Sequence, residues 1–88
     1  MRRHALLIVA IAGWMLVYSR HGTEWLPMGQ YSSSSTCHRV MDARAHDEAS
    51  REMGTALASQ PADNPMRQRA YQRAWRRVQP RFRCVHQR

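Results

Sequence analysis

The feature that most constrains this chain is an apolar run near its N-terminus, Ala5 to Tyr18, with the sequence ALLIVAIAGWMLVY. Its fourteen residues carry no charge and follow directly on Met1-Arg2-Arg3-His4. A basic start followed by an apolar stretch of about 7 to 15 residues is the pattern of an export signal. As a helix the run would be about 21 Å long, short of the roughly 30 Å hydrocarbon core of a bilayer. The run therefore predicts an extracytoplasmic protein that is either secreted or anchored in the membrane.

Three fates of the run stay open. Val17-Tyr18-Ser19 offers residues for signal cleavage near Ser19,. Without cleavage, residues 5–18 would enter the membrane as an anchor with the N-terminus inside and the C-terminus outside. Trp14, Tyr18 and Trp25 would then lie at the outer interface. A run of 10 to 14 apolar residues can also be a buried core segment.

Two cysteines, Cys37 and Cys84, are the strongest signal in the rest of the chain. The chain has 88 residues, and about seventy remain beyond the apolar run, so a hydrophobic core alone would be marginal. Two cysteines in an exported chain usually form a disulfide. A bridge between them would stabilise the folded state by about 4 kcal/mol in the chain-entropy model, because it constrains the unfolded chain.

The charge is strongly positive and unevenly distributed. The chain has a net charge of +8, with fourteen arginines and no lysine, which is typical of a GC-rich genome and weakens the inference from charge to nucleic acid. Residues 64–88 contain eight arginines and no acid, whereas residues 21–63 contain all six acids and three arginines. The two regions are therefore expected to attract each other.

The region from about Thr36 to Ser59 has a helical pattern, in which Met41, Ala45, Ala49, Met53 and Leu57 recur every four residues,. Before it, residues 23–31 read as a short extended segment interrupted by Pro27 and Gly29, and a serine-rich loop follows,.

A second helix is predicted from Pro65 to about Val78, because Asn64 followed by Pro65 is a good helix start. Pro80 ends it, and residues 81–85 alternate like a short strand,. If the two helices fold antiparallel, Cys84 returns close to Cys37.

These patterns predict a mostly α protein. Its parts are a signal or anchor helix at 1–19, an extended segment and loop at 20–36, and a disulfide-closed antiparallel helical hairpin with an extended tail at 37–88.

A resemblance follows from Trp25 soon after the apolar run, Cys37 at a helix start, and the aromatic-x-Cys-aliphatic motif of residues 82–85. In these features the chain resembles the small uncharacterised exported proteins of proteobacteria. Those often end in a Pro-Asp-Thr-like tail, whereas this chain ends in His86-Gln87-Arg88. The resemblance implies export and carries no active-site residues.

An arginine-rich face is the main candidate binding surface, and aromatic residues are interleaved with it. Such a surface could bind anionic lipid, nucleic acid or an acidic protein. Alternatively, the arginines bind no external partner and form a solvated face paired with acids of the first helix. In an exported protein, anionic lipid or an envelope protein is a better partner than nucleic acid. Its members are Arg67, Arg69, Arg73, Arg76, Arg77, Arg81 and Arg83.

Metal binding and catalysis find little support in the sequence. Cys37-His38 with Cys84-x-His86 could supply zinc ligands, but adjacent residues on a helix point apart. No phosphate loop, paired carboxylate or nucleophile motif is recognisable. We therefore predict a non-enzymatic accessory or protein-interaction module with no cofactor, no catalytic residues and no metal site. The alternatives are a cationic protein of membrane surfaces and a Cys/His metal binder.

Overall fold

A computed structural model describes residues 13–87 of the chain. Three strands form one antiparallel sheet in the order β2-β1-β3, so the first strand lies in the centre. Three helices lie between β2 and β3 in the sequence. In chain order the elements are β1 (Gly13–Tyr18), β2 (Leu26–Tyr31), α1 (Ser34–Met53), α2 (Thr55–Ala58), α3 (Pro65–Val78), a 3-10 turn (Gln79–Arg81) and β3 (Phe82–Gln87).

The last six residues of the apolar run form the central strand, so the predicted helix is wrong over residues 13–18. Leu16 lies opposite Gly29 of β2 on one side and Cys84 of β3 on the other, and it is fully buried. A short apolar run can be a buried strand or a helix, and periodicity alone does not separate them. Here aromatic and β-branched residues favour the strand.

The central position of β1 bears directly on the fate of the N-terminus. A chain cleaved after Ser19 would lack β1, so that cleavage and this fold exclude each other. Equally, residues 13–18 cannot pair in the sheet while they lie in a membrane helix. The part of the predicted signal or anchor at residues 1–12 lies outside the described residues. None of the helices between residues 13 and 87 has the length and apolar composition to cross a bilayer.

The helix α1 begins two residues before the predicted start. The Ser33 side chain caps it by accepting a hydrogen bond from the Thr36 amide, 3.2 Å away,. The helix ends at Gly54, whose φ of 99° interrupts the helical path, and α2 continues for one turn. Four members of the predicted stripe, Met41, Ala45, Ala49 and Met53, are confirmed as the buried face of α1, and Cys37 extends this face by one turn. The fifth predicted member, Leu57, lies in α2 and is only half-buried, because the helix breaks at Gly54 before the predicted end at about Ser59.

The helix α3 spans the predicted residues at both ends. The Asn64 side chain accepts hydrogen bonds from the amides of Met66 and Arg67, at 2.9 and 3.3 Å, and Pro65 occupies the first helical turn,. Its buried residues are Ala70, Ala74 and Val78. These small residues allow α3 to pack against α1.

The fold class is α+β, and the prediction of a mostly α protein is corrected. The helix α1 packs against all three strands as well as against α3, and the sheet draws one strand from each of the three predicted segments. The predicted antiparallel hairpin is also wrong. The contacts His46–Tyr71 and Glu52–Arg77 between α1 and α3 both join residues 25 apart in the sequence. Because this separation is constant only when two helices run in the same direction, α1 and α3 are parallel. The two extended segments at 23–31 and 81–85 are present as β2 and β3.

The predicted disulfide between Cys37 and Cys84 is present, with 6.2 Å between the Cα atoms. It ties the first turn of α1 to the middle of β3. Cys37 is fully buried, and together with Leu16, Val78 and Phe82 it belongs to the one hydrophobic cluster formed by the helices and the sheet. The bridge therefore passes through the core.

Candidate interaction surface

The seven arginines predicted to form one face separate into four environments. Arg77 and Arg81 bind acids of α1, and Arg83 packs on Trp25, which immediately precedes β2. Arg67 is a half-buried residue of α3. The other three, Arg69, Arg73 and Arg76, lie exposed on α3. The predicted surface is therefore smaller than the sequence suggested.

Arg81 is the centre of an ion cluster at the end of α3. Its Nη1 lies 2.5 Å from Oε2 of both Glu48 and Glu52, and Arg77 Nε lies 3.4 Å from Glu52 Oε1. The side chains of Arg81 and Glu48 are only 17% and 19% exposed. Two of the seven arginines, Arg77 and Arg81, therefore form ion pairs within the chain, as the alternative interpretation predicts.

The ion cluster favours the ionised form of Glu52. The hydrogen bond from Arg81, opposed by partial burial, lowers the pKa of Glu52 below its ordinary value,. The Tyr18 hydroxyl donates a hydrogen bond to Glu48 Oε2 over 3.1 Å, and burial, followed by that hydrogen bond, raises the pKa of Tyr18. These carboxylates link β1, α1 and the 3-10 turn, which is a structural role.

Arg83 lies on the side of the sheet away from the helices. Its neighbours Phe82 and Cys84 pack in the core, so alternation along the strand directs Arg83 outward. Its guanidinium carbon lies 4.3 Å from the centroid of the Trp25 ring, a cation–π contact. Arg83 therefore does not belong to the surface of α3.

We call Arg69, Arg73 and Arg76 the arginine ridge. Their spacing of i, i+4 and i+7 places them in one row along α3, opposite the buried Ala70, Ala74 and Val78. Within residues 13–87 none of the three makes a salt bridge. The ridge is a row of positive charge that the described part of the fold does not neutralise.

Beside the ridge, two aromatic residues of α3 contribute features that the sequence only hinted at. The rings of Tyr71 and Trp75 stack with centroids 6.2 Å apart and planes at 27°. A hydrogen bond of 2.7 Å joins the Tyr71 hydroxyl to His46 Nδ1 of α1, and burial raises the pKa of Tyr71. The sequence shows the i, i+4 spacing of the two aromatic residues, but not the histidine partner.

The cysteine and histidine side chains considered as alternative zinc ligands have other partners within residues 13–87. Cys37 and Cys84 are bonded to each other, so neither offers a thiolate. His38 Nδ1 forms a 2.8 Å hydrogen bond with Ser34 O, and the His86 ring packs on Trp14 at 4.8 Å. Among the described residues, no three His, Cys, Asp or Glu side chains are grouped to hold a metal.

Comparison of the chain with models of protein families, with curated proteins and with solved structures finds no match. The function is therefore argued from the residues of this chain.

Proposed function

We propose that the protein is a small non-enzymatic module of the bacterial cell envelope that binds an acidic partner protein through the arginine ridge. The observation that carries the proposal is the row of Arg69, Arg73 and Arg76, which makes no salt bridge within residues 13–87. Arg77 and Arg81 already occupy Glu48 and Glu52. A row of charges without internal partners attracts a surface of opposite charge and accelerates its association.

The disulfide supports the extracytoplasmic location. Disulfides persist in oxidising compartments such as the bacterial periplasm and are rare in the cytosol. In this protein the bridge Cys37–Cys84 joins two elements of the core, so the reduced chain would lose a constraint on its fold. The resemblance to exported proteins agrees with this location.

The partner is tested by photo-crosslinking in cells that express the protein naturally. A photoreactive residue at Arg73 should give an adduct with one acidic envelope protein, and the same residue at the exposed Arg39 of α1 should not. Identification of the adduct by mass spectrometry names the partner. Equal adducts from both positions, or none from Arg73, would overturn the proposal.

A matched pair of triple variants then tests charge against position. The ridge variant removes three exposed positive charges from α3 through R69Q/R73Q/R76Q. The control variant removes three exposed positive charges from α1 through R39Q/R44Q/R51Q. The ridge variant should weaken binding to the identified partner and reduce its salt dependence, while the control should bind as the wild type. Equal losses would mean that net charge, not the ridge, drives binding.

A second candidate function, binding to an anionic membrane surface, is favoured by Met66, which is 60% exposed at the start of the ridge helix. An exposed apolar side chain beside arginines suits an interface with lipid. Cosedimentation with vesicles of neutral phospholipid, with and without anionic phospholipid, tests this function. Binding that ignores anionic lipid and salt would eliminate it.

A further inference from the structure

A shallow groove runs along the flank of α3 between the arginine ridge and α1. It consists of two cavities of about 260 and 420 Å³ that share Tyr71 and Gln72. The first is also lined by His46, Ala62 and Arg67, and the second by Trp75 and Arg76. Sites for small molecules typically occupy about 300–1,000 Å³ and combine aromatic walls with a few polar groups. The groove has this size and composition.

The wall of the groove is an aromatic platform. Tyr71 and Trp75 stack at 27° between ring planes, and the hydrogen bond between Tyr71 and His46 fixes the tilt of the first ring. Both residues are half-buried against the core, so their positions are set before a ligand arrives. A preorganised platform loses little entropy when it binds a ring.

The polar groups of the groove can donate to an anion. Arg67 and Arg76 lie nine residues apart on α3, about 13.5 Å along the axis, and no carboxylate lines either cavity. The Nε of Arg67 is buried and has no hydrogen-bond partner within residues 13–87. A buried donor without an acceptor is rare and points to a missing partner. Arginine pairs with carboxylates through two parallel hydrogen bonds.

The amides of Gln68 and Gln72 narrow the choice of ligand. Both side chains line the first cavity, and an amide offers a donor and an acceptor together. Adjacent hydroxyl groups of a sugar need both. A sugar ring also presents an apolar C–H face. This face packs on an aromatic ring because the contact removes apolar surface from water.

From these observations we propose that the groove binds a short acidic saccharide. One sugar ring packs on Tyr71 and Trp75, and a carboxylate of the saccharide accepts hydrogen bonds from the guanidinium of Arg67. Gln68 and Gln72 bind the hydroxyl groups between them. The groove shares Arg76 with the arginine ridge, whereas Arg69 and Arg73 lie outside the groove, so variants of these two arginines separate the two sites.

Titration calorimetry and amide chemical-shift mapping of the full chain test the proposal with trigalacturonic acid as the probe. Saturable binding is expected, with shifts confined to α3, the middle of α1 and the turn at Ala62. A neutral trisaccharide should bind about tenfold more weakly or less, because it lacks the charged acceptor for arginine. Equal binding of the neutral sugar, or shifts elsewhere, would overturn the proposal.

Three variants locate the site. R67Q should weaken trigalacturonic acid binding by about tenfold, and Q72A should weaken it with no loss of folding, because Gln72 is exposed. R69Q/R73Q should bind as the wild type, which separates the groove from the ridge. Adenosine monophosphate is the competing probe; if it binds more tightly than the saccharide, the groove is a nucleotide site and the proposal is wrong.

Discussion

Leu16 of β1 lies opposite Cys84 of β3, and Cys84 is bonded to Cys37 of α1. Leu16, near the C-terminal end of the apolar run, is therefore connected through Cys84 to the first turn of α1. Leu16 and Cys37 are both fully buried in the same cluster. This relationship makes residues 13–18 part of the folded core and gives the following predictions.

Replacing Leu16 with Ala should destabilise the fold strongly. Leu16 is 0% exposed, and a Leu→Ala change at such a site costs about 2–5 kcal/mol through lost burial and the cavity left behind. Met15→Ala is the control, because Met15 lies on the other side of the strand and is only half-buried. Urea unfolding should show a clearly larger loss for L16A. Equal losses would contradict the central position of β1.

Removing the disulfide with C37A/C84A should lower the free energy of unfolding by about 4 kcal/mol in the chain-entropy model, because the bridge closes a long loop. The two residues are 47 apart in the sequence. Urea unfolding followed by circular dichroism should show the same loss of unfolding free energy in the variant and in the reduced wild type. A variant as stable as the oxidised protein would mean that the bridge does not constrain the unfolded chain.

Acid should weaken the protein in part through Glu52. Its pKa in the folded state is lowered from an ordinary value of 4.5 by the hydrogen bond from Arg81. The resulting stabilisation is complete above that ordinary value and is lost as pH falls from it through the lower folded pKa. Urea midpoints should therefore fall less steeply with acid in E52Q than in the wild type. Glu24→Gln, at an exposed residue, should leave the slope unchanged; an unchanged slope in E52Q would refute the role of this ion pair.

Gly13→Ala should cost more than Gly22→Ala. Both glycines have positive φ, 127° and 78°, and a side chain there is strained by about 1–3 kcal/mol. A Cβ at Gly13 would also lie 2.7 Å from the Tyr31 carbonyl oxygen, whereas a Cβ at Gly22 meets nothing within 4 Å. Thermal unfolding of the two variants measures the difference. A milder effect at Gly13 would contradict the close approach of β1 to the end of β2.

Local signals predicted the helices well. Asn64-Pro65 and Pro80 delimit α3 at the observed residues, and the four-residue stripe of α1 is its buried face. These features depend on neighbours within a turn, so they can be read from sequence. The disulfide could be predicted because two cysteines have one pairing.

The pairing of β1 with β3 could not be predicted, because the two strands lie far apart in the chain. Leu16 pairs with Cys84, and no local pattern connects residues so distant. The charged amino end also made the apolar run look like an export helix. The sequence predicted seven arginines on one face, but Arg81 and Arg83 do not belong to it. Arg81 binds Glu48 and Arg83 packs on Trp25, and these contacts depend on the tertiary structure.

The membership of residues 13–18 in the folded protein can be measured through the non-reducing intact mass of the protein isolated from cells that express it naturally. We expect a chain that retains Gly13–Tyr18 and is lighter by two hydrogen atoms for the bond between Cys37 and Cys84. A mature chain that begins at Arg20 would contradict it, because that chain lacks the central strand of the sheet.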